Sequence, residues 1–445
     1  MVCSRPNERG QRSAKARHPS RSGIEAEQLR QLNFLLETLS SGNEFYRRKL
    51  GSASRPTRFD SVPAFLRSTP FTTKEELSLD QATHPPYGTN LSFPLSRYTR
   101  YSQTSASTGM PLRWLDTTEG WGWMLDNWSV VFGTSGVDPS DRVLFTFSFG
   151  PFLGFWTAFE AAVRLGCLCI PGGGLSSRAR LQAVLDNRVS VLCCTPTYAL
   201  RLGEVAQEEG VDLGATEVWR ILTAGEPGGC IPSTRNRIQK VWQGVRVADH
   251  HGMTEVGPVS FECSHRAGVL HVIESAYIAE IVDPETGRPV DQGKEGELIL
   301  TPLGRKGSPL LRYKTGDLVK GAQEVPCVCG RFDLALEGGI LGRLDDMVCI
   351  RGVNLHPAAV EEVIHSLQGV AEYQVHLEEQ GSLPEIRVSV EPSPNVPNPA
   401  PLARTLEKRF RDVFTLRIPV AVAAIGSLPR FEMKARRWIR SNRQA

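Results

Sequence analysis

The sequence predicts an α/β protein in which a large N-terminal α/β domain with a β-rich subdomain precedes a small C-terminal α+β domain. Apolar strand-like runs alternate with helical patterns between residues 141 and 223, which is typical of a parallel sheet with crossover helices. After Glu262 the pattern changes to short β-runs separated by turn signals. About a hundred residues from position 343 onward again alternate strand and helix character, and they predict a separate small domain.

Residue spacing predicts the elements of the large domain. Leucines at helical spacing predict a helix over 24–50, and Thr72 or Thr73, followed by acidic residues, is a typical start of another helix. In the alternating region we predict strands at 143–147, 167–171, 191–195 and 219–223 and helices at 152–165, 177–187 and 198–209. Strands at 277–282 and 296–300 follow in the β-rich subdomain.

The length of the chain supports this division. A chain of 445 residues is too long for a single hydrophobic core. We predict a disordered basic arm at 1–22, a large domain at 23–342 whose β subdomain lies near 262–342, and a small C-terminal domain at 343–445, which is the lid domain of the resemblance described below. The arm is rich in Arg and Ser without apolar periodicity, so it also resembles an organelle transit peptide.

The composition argues against several classes of protein. A net charge of +3 does not indicate nucleic-acid binding, and no apolar run is long enough to cross a membrane. The ten cysteines are scattered, several of them within apolar strand-like runs. This distribution favours reduced, buried thiols in a cytoplasmic enzyme over a disulfide framework.

A loop of small residues, Thr-Ser-Ala-Ser-Thr-Gly-Met-Pro at 104–111, lies between two predicted strands. Small residues let a ligand approach the backbone, and hydroxyl and free N–H groups in such a loop can donate to phosphate oxygens. The loop lacks the lysine of the P-loop, so ordinary kinase or NTPase chemistry is not implied. A Ser/Thr-rich turn is by itself more often a surface connection, and its meaning depends on the segments downstream.

Three further segments stand at strand ends or turns. They are Ala-Gly-Glu-Pro at 224–227, Asp-His-His-Gly-Met-Thr-Glu at 249–255 and Tyr-Lys-Thr-Gly-Asp at 313–317. Ligands of parallel sheets bind outside the carboxyl ends of the strands. There, a glycine beside a flat side chain accommodates a planar base, Glu255 can hold a divalent cation, and Asp317 can accept ribose hydroxyls. Each segment alone also fits an ordinary turn with a capping acid.

The four segments in this order resemble the adenylate-forming superfamily of acyl-CoA synthetases, and most closely the phenylacetate–CoA ligases, from about residue 24 to the end of the chain. The phosphate loop of that family, Ser-Ser-Gly-Thr-Thr-Gly-x-Pro, is similar to 104–111, its Gly-Glu-Pro to 225–227, its Tyr-Gly-x-Thr-Glu to 251–255 and its Thr-Gly-Asp to 315–317. The segment 342–357 resembles the hinge and the opening of the lid domain, and 428–435 resembles the loop that carries the adenylating lysine.

The resemblance implies a reaction in two steps. A carboxylate attacks the α-phosphate of ATP to give an acyl-adenylate and pyrophosphate, and the thiol of CoA then displaces AMP. Catalytic roles are implied for Lys434, Glu255 and Thr254, with Mg²⁺ near Glu255, because preplaced positive charge stabilises the pentavalent phosphorus. The lid would swing about Asp345 between the two steps. Contacts with nucleotide or CoA are implied for Thr104, Ser105, Ser107, Thr108, Gly109, Gly225, Glu226, Pro227, His251, Gly252, Asp317, Arg343, Arg351 and Gly352.

Two departures from the family pattern leave alternatives open. Ala106 replaces the first glycine of the phosphate loop, and His251 stands where the family usually has a tyrosine. Neither change removes a charged catalytic group, so we expect an active enzyme, although a catalytically weakened nucleotide-binding homologue is an alternative. A second alternative keeps adenylation but transfers the acyl or adenylyl group to a carrier-protein thiol, an amine or a deazaflavin cofactor. The family resemblance also implies a homodimer.

Four residues form a candidate metal site, namely Cys263, His271, Cys327 and Cys329. Thiols and an imidazole are the ligands that a tetrahedral zinc ion prefers. Four unrelated side chains are the plain alternative, and His265 is a competing ligand. Some phenylacetate–CoA-ligase-like proteins have a similar Cys-(seven residues)-His and Pro-Cys-x-Cys-Gly pattern. That resemblance implies a closed, structural zinc site.

An aromatic segment at 147–156 is the candidate pocket for the acid. Phe147, Phe149 and Phe152 follow a strand end, where an aromatic acid such as phenylacetate or benzoate would fit. Ordinary core packing between the strand and its helix explains any single one of these rings equally well.

Overall fold

The computed structural model describes residues 18–51, 58–104, 111–147, 149–350, 353–380, 383–431 and 435–441. The α/β fold class predicted from the sequence is confirmed, with a large N-terminal part and a smaller C-terminal part that each have their own sheets. None of the helices in these segments is both long and apolar enough to cross a membrane.

Helices form the first part of the large domain. They are α1 (Arg21–Gly42), α2 (Glu44–Leu50), α3 (Val62–Ser68) and α4 (Lys74–Thr83). The single helix predicted over 24–50 is in fact α1 and α2, because Asn43 adopts extended backbone and its side chain caps α2 by accepting from the N–H of Tyr46. α1 begins at Arg21, inside the segment predicted as an arm. α4 starts as predicted, with a capping box between Thr73 and Glu76.

A parallel sheet carries the carboxyl-terminal strand ends on which the predicted site depends. Two antiparallel strands, β1 (Tyr98–Gln103) and β2 (Arg113–Thr117), and helix α5 (Thr118–Thr134) precede it. The sheet has the order β4-β3-β5-β6-β7. Its members are β3 (Arg142–Phe145), β4 (Leu168–Pro171), β5 (Val191–Cys194), β6 (Arg220–Thr223) and β7 (Arg246–Asp249), with helices α6 (Leu153–Leu165), α7 (Ser177–Asp186), α8 (Pro196–Glu208) and α9 (Pro232–Val241).

The two faces of this sheet are buried in two different hydrophobic clusters. Val143 and Phe145 of β3 pack in one cluster with α5 and α6, whereas Leu144 between them packs in the other with α7 and α8. Successive side chains of a strand point to opposite faces, so continuous apolar runs are required where helices cover both. The predicted strands and helices of this region agree with the observed bounds to within one or two residues.

An antiparallel sheet follows, as the β-runs after Glu262 predict. Its order is β10-β11-β15-β14-β13-β12, and a short hairpin of β8 (Gly252–Met253) and β9 (Gly257–Pro258) precedes it. The strands are β10 (Ser260–Glu262), β11 (Val269–Val272), β12 (Tyr277–Val282), β13 (Glu295–Pro302), β14 (Tyr313–Gly321) and β15 (Ala335–Arg343).

The C-terminal part has a hydrophobic cluster of its own, which includes Val360, Val375 and Phe410. Its four-stranded sheet has the order β20-β19-β18-β21, and a hairpin precedes it. The elements are β16 (Val348–Ile350), β17 (Val353–Leu355), α10 (Pro357–His365), β18 (Val370–Gln380), β19 (Leu383–Pro392), α11 (Ala400–Phe414), β20 (Val420–Val422) and β21 (Trp438–Ser441). The stretch between β19 and α11 is a loop, as its prolines predict.

Candidate active site

The base of the predicted phosphate loop is closed by two hydrogen bonds. The N–H of Thr104 donates to the carbonyl of Leu112 over 3.0 Å, and the N–H of Leu112 donates to Oγ1 of Thr104 over 3.0 Å. Thr104 is buried, so its hydroxyl holds the two strands together at the mouth of the loop. Ser105, Ser107, Thr108 and Gly109, together with Ala106, lie outside the described residues.

The turn after β6 brings a carboxylate to the edge of the parallel sheet. Gly225 has φ +93°, which a glycine adopts at little cost, and the side chain of Glu226 follows it. Oε1 of Glu226 accepts from the N–H of Thr197, near the start of α8, over 2.9 Å. Oε2 accepts from the N–H of Ala435 over 3.0 Å. The carboxylate therefore joins the large domain to the C-terminal segment, and the structure gives it no other hydrogen-bond partner among the described residues.

The next strand end carries two histidines that have different hydrogen-bond partners. Nδ1 of His250 lies 2.6 Å from the carbonyl of Ser260, and burial lowers the pKa of His250 to about 4, so its ring is neutral and donates from Nδ1. His251 instead points toward the antiparallel sheet, where its Nε2 lies 2.9 Å from Oδ2 of Asp317. Two of the predicted nucleotide segments, 251–255 and 315–317, therefore meet in space.

Asp317 connects this pair with the start of the C-terminal part. Nη1 of Arg343 donates to Oδ1 of Asp317 over 3.1 Å, while Nε and Nη2 of Arg343 donate to the two oxygens of Asp345 over 2.9 and 3.1 Å. Burial opposes the charged form of Arg343, but its hydrogen bonds to Asp345 and the charge of Asp317 raise its pKa. A guanidinium shared by two carboxylates thus spans the predicted ribose residue and the predicted hinge.

Glu255 lies in the same region with a buried side chain. Burial raises the pKa of this carboxyl, and the charges of Lys74 and Arg343 partly oppose the rise. Thr254, next to it, is only partly exposed, and Gly252 is exposed at the start of the β8–β9 hairpin. A buried carboxylate with few positive neighbours is a group whose charged form a bound cation would favour.

Sequence reasoning missed a buried arginine, Arg305, that bonds the backbone at Thr254 and Glu255. Nε and Nη2 of Arg305 donate to the two oxygens of Asp116 over 2.6 and 2.7 Å, and both side chains are 1% exposed. Nη1 of Arg305 donates to the carbonyls of Thr254 and Glu255 over 2.6 and 2.8 Å. One side chain therefore fixes the backbone beside Glu255 to β2, which follows the phosphate loop. No local pattern marks Arg305, because its partners are distant in sequence.

The four predicted metal ligands lie together. One ligand atom from each of Cys263, His271, Cys327 and Cys329 falls within 4.8 Å of all the others. The sulfurs of Cys263 and Cys327 are 3.8 Å apart, and the sulfur of Cys329 is 3.4 Å from Nε2 of His271. A tetrahedral zinc with ordinary bond lengths requires ligand separations of roughly 3.8 Å and 3.6 Å for these two pairs.

The ring of His271 is oriented for such a role. Its Nδ1 lies 3.2 Å from the carbonyl of Asp333, so Nδ1 donates and Nε2 faces the three sulfurs. The alternative ligand, His265, is exposed and its Nδ1 lies 2.9 Å from the hydroxyl of Ser264. The geometry therefore groups His271, not His265, with the cysteines.

The aromatic segment at the end of β3 packs mainly on itself. The ring of Phe147 stacks on Phe155 with centroids 3.9 Å apart, and Phe149 makes an edge contact with Phe159 at 5.3 Å. Phe152 makes an edge contact with Phe155 at 6.4 Å and remains partly exposed. Phe147 and Phe152 therefore meet through Phe155, whereas Phe149 packs in a second ring group with Phe159.

The C-terminal part contacts the large domain at the strand ends. Nη1 of Arg437 donates to Oγ1 of Thr197 over 3.1 Å, and the hydroxyl of Ser233 donates to Oε2 of Glu362 over 2.7 Å. Arg351, Gly352 and Lys434 lie outside the described residues.

Two family models match the chain. Residues 102–302 match the AMP-binding enzyme family, and residues 352–442 match the C-terminal domain of AMP-binding enzymes. The first covers the phosphate loop and the strand ends, and the second covers the small sheet. Fold and site together define an adenylate-forming ligase that uses ATP.

The phenylacetate-coenzyme A ligase of Thermus thermophilus is 32% identical over 353 residues, which are 78% of this chain and 77% of that protein. A crystal structure of 2-hydroxyisobutyryl-CoA ligase in the postadenylation state is similar with a TM-score of 0.89 and 26% identity, covering 96% of this chain and 93% of the other. The same ligase with 2-HIB-AMP and CoA in the thioesterification state gives a TM-score of 0.71 at 27% identity, with 95% and 91% covered. The chain belongs to the phenylacetate–CoA ligase family, and it is an AMP-forming acid–CoA ligase.

Proposed function

We propose that this protein adenylates an aromatic carboxylic acid of the phenylacetate type and transfers the acyl group to CoA, releasing pyrophosphate and AMP. The observation that carries the proposal is that His251, Glu255 and Asp317 lie together after β7, next to the end of β6 that Gly225 follows. The aromatic cluster around Phe147 supports an aromatic acid, because rings pack favourably against rings in a largely apolar pocket.

In the first step an oxygen of the acid attacks the α-phosphorus, and the bond to pyrophosphate breaks. We assign ribose binding to Asp317 and the adenine-side face to His251 and the turn at 225–227. Arg343, which holds both Asp317 and Asp345, would keep the ribose acceptor oriented. Lys434 and the hydroxyls of the 104–111 loop would donate to the phosphate oxygens as negative charge develops.

Glu255 is the residue that we assign to Mg²⁺. Its carboxyl is buried with a raised pKa, and no cationic side chain among the described residues pairs with it. A bound Mg²⁺ would neutralise phosphate charge and orient the triphosphate. Arg305 positions the backbone at this point, because it donates to the carbonyl of Thr254.

In the second step the sulfur of CoA attacks the acyl carbon and the bond to AMP breaks, with the thiol proton lost. We propose that the domain from 343 onward rotates about Asp345 between the steps, so that Lys434 leaves and the side of Arg351 and Gly352 faces the acyl-adenylate. The higher similarity to the postadenylation state than to the thioesterification state supports a closed, adenylation-type arrangement in this structure.

We also propose that Cys263, His271, Cys327 and Cys329 hold a structural zinc ion. Four protein ligands leave no open position for a substrate, so the ion would stabilise the fold and take no part in the reaction. It would fasten the turn at 327–330 to β10 and β11.

We also propose that the protein is a cytoplasmic homodimer. Each chain would divide into domains at about residues 22 and 342. The strand β15, which ends at Arg343, and the separate hydrophobic cluster of the C-terminal part support the second boundary. Light scattering on purified protein would give the mass of the assembly, and a monomer would contradict the dimer.

Exchange of labelled pyrophosphate into ATP, measured with a panel of carboxylic acids, tests the first step. We expect exchange with aryl acids, and AMP release that accelerates when CoA is added. Lys434→Ala should abolish exchange while CoA thioester formation from a supplied acyl-adenylate persists. Absence of exchange with every acid would contradict the proposal. A rate of AMP release that does not change when CoA is added would indicate another acceptor.

A further inference from the structure

The carboxylate of Glu226 connects two parts of the protein that belong to different domains. Oε1 accepts from the N–H of Thr197 over 2.9 Å, and Oε2 accepts from the N–H of Ala435 over 3.0 Å. Ala435 directly follows Lys434 in the sequence. Each oxygen of Glu226 thus accepts from one backbone N–H group, one in each domain.

A second contact from the same segment reaches the same helix start. Nη1 of Arg437 donates to Oγ1 of Thr197 over 3.1 Å, while Nε and Nη2 of Arg437 donate to the two oxygens of Glu372 in β18 over 2.6 and 3.1 Å. Arg437 and Glu372 are both buried. The residues just after Lys434 are therefore held by their own domain through Arg437 and by the large domain through Glu226 and Thr197.

Before Lys434 in the sequence, Arg430 makes a longer contact with the large domain. Nε of Arg430 lies 3.6 Å from Oε2 of Glu204 in α8, and both side chains are partly exposed. Arg430 is held mainly within its own domain by Glu391, whose side chain is buried. An exposed pair at this separation contributes little, so the bonds made by Ala435 and Arg437 are the stronger contacts of this part of the small domain with the large domain.

We propose that Glu226 is a positioning residue for the adenylation step, which places the backbone beside Lys434 through the N–H of Ala435. This rests on the function proposed above and adds to it a residue that acts in one half-reaction only. Rotation of the small domain would break the bond to Ala435 and leave the bond to Thr197. Glu226 would then contribute nothing to thioester formation.

The variant Glu226→Gln separates this role from nucleotide binding. An amide has one acceptor oxygen, and its NH₂ group would face an N–H donor, so one of the two bonds is lost. We expect the maximal rate of ATP–pyrophosphate exchange to fall about 10- to 100-fold, because small misplacements of catalytic groups cost about this much. The KM for ATP and thioester formation from a supplied acyl-adenylate should stay within about twofold.

Glu204→Gln is the matched control, because it removes a carboxylate at the same interface away from Ala435. We expect exchange within about twofold of wild type. A raised KM for ATP in Glu226→Gln, or equal loss in both half-reactions, would overturn the proposal in favour of a nucleotide contact or a general structural role.

Amide hydrogen exchange of the peptide that covers 435–441 gives a readout without turnover. In the ATP-bound protein this peptide should exchange faster in Glu226→Gln than in wild type and Glu204→Gln. An unchanged rate would overturn the proposal even if the wild type adenylates no acid in the panel. Faster amide exchange in Glu226→Gln, together with a wild type that adenylates no acid, would support the contact and refute the proposed function.

Discussion

Nε2 of His251 lies 2.9 Å from Oδ2 of Asp317, so the residue that departs from the usual tyrosine bonds the residue that we assign to ribose. Arg343 occupies the other oxygen of Asp317 at 3.1 Å. A carboxylate has about four lone-pair positions, so both partners and a ribose hydroxyl can be accommodated. The departure therefore preserves the flat ring and adds an orienting hydrogen bond.

We predict that His251→Phe raises the KM for ATP about tenfold, since a hydrogen bond to a buried carboxylate is lost while the flat ring is kept. The maximal rate should change little, because the ring does not touch the reacting phosphorus in our assignment. Initial-rate kinetics with ATP varied check this. His376→Phe, a substitution on the small-domain sheet, is the control and should leave the KM unchanged; a normal KM in His251→Phe would show that Asp317 needs no partner there.

The pair Arg305–Asp116 gives a prediction about stability. Asp116→Asn should destabilise the protein by about 3–5 kcal/mol, because it leaves a buried guanidinium without its counter-charge. Thermal unfolding measures the loss, and the double variant Asp116→Leu with Arg305→Met should recover part of it.

Glu119→Gln is the control for that pair, since Glu119 faces Arg97 on the surface, and it should shift the unfolding temperature little. A comparable shift in the two single variants would contradict the assigned importance of the buried pair. Because Arg305 also holds the carbonyls of Thr254 and Glu255, Asp116→Asn should in addition slow adenylation at temperatures where it remains folded.

The metal cluster predicts a zinc content of about one equivalent per chain in freshly purified protein. Cys327→Ser should lose the metal and lower the unfolding temperature, whereas His265→Ala should keep both. Elemental analysis and thermal unfolding give the two readouts. A metal-free wild type, or loss of metal in the His265 variant, would refute the assigned ligand set.

Glu361 predicts a pH dependence of stability. Burial raises the pKa of its carboxyl to about 7 from 4.5, and Arg437 opposes the rise. The folded protein therefore binds a proton that the unfolded chain has released between about pH 4.5 and 7, so this group's contribution to stability falls as pH rises through that window. The titratable neighbours are His365 on the same helix, Glu372 and Tyr373 on β18, Arg437, and Glu226 of the large domain.

In Glu361→Gln we expect the unfolding temperature to decline less between pH 5 and pH 8 than in wild type, because the amide does not titrate (roughly 1.4 kcal/mol per unit of pKa difference is at stake). Glu362→Gln, one residue further along α10, should keep the wild-type slope. Identical slopes in wild type and Glu361→Gln would show that another group is responsible.

Local patterns predicted much of the fold. Strands and helices between β3 and β6 follow from apolar runs and caps, since each is decided by its own residues and by burial on both faces. The break at Asn43 was missed, because leucine spacing continues on both sides of it and only the cap to Tyr46 reveals two helices. The motif residues His251, Asp317 and Arg343 were found from the resemblance, but their mutual bonds join separate sheets and strand ends.

The residues that sequence reasoning missed have distant partners. Arg305 is 189 residues from Asp116, and Arg437 is 240 residues from Thr197. An isolated arginine carries no periodic or capping signal, so only the folded chain shows which carboxylate or hydroxyl it meets. Cys327 and Cys329 differ, because two thiols close in sequence already indicate a ligand pair. Cys263 and His271 were also named from the sequence, and the fold brings all four together.

The short strand β21 has a consequence for the order of events. It pairs in parallel with β18 from Trp438 to Ser441. The residues shortly after Lys434 therefore belong to the sheet of the small domain and move with that domain. In the rotation that we propose, the lysine would therefore leave the adenylate together with the small domain. One rotation would then both commit the enzyme to thioester formation and protect the adenylate from reversal by pyrophosphate.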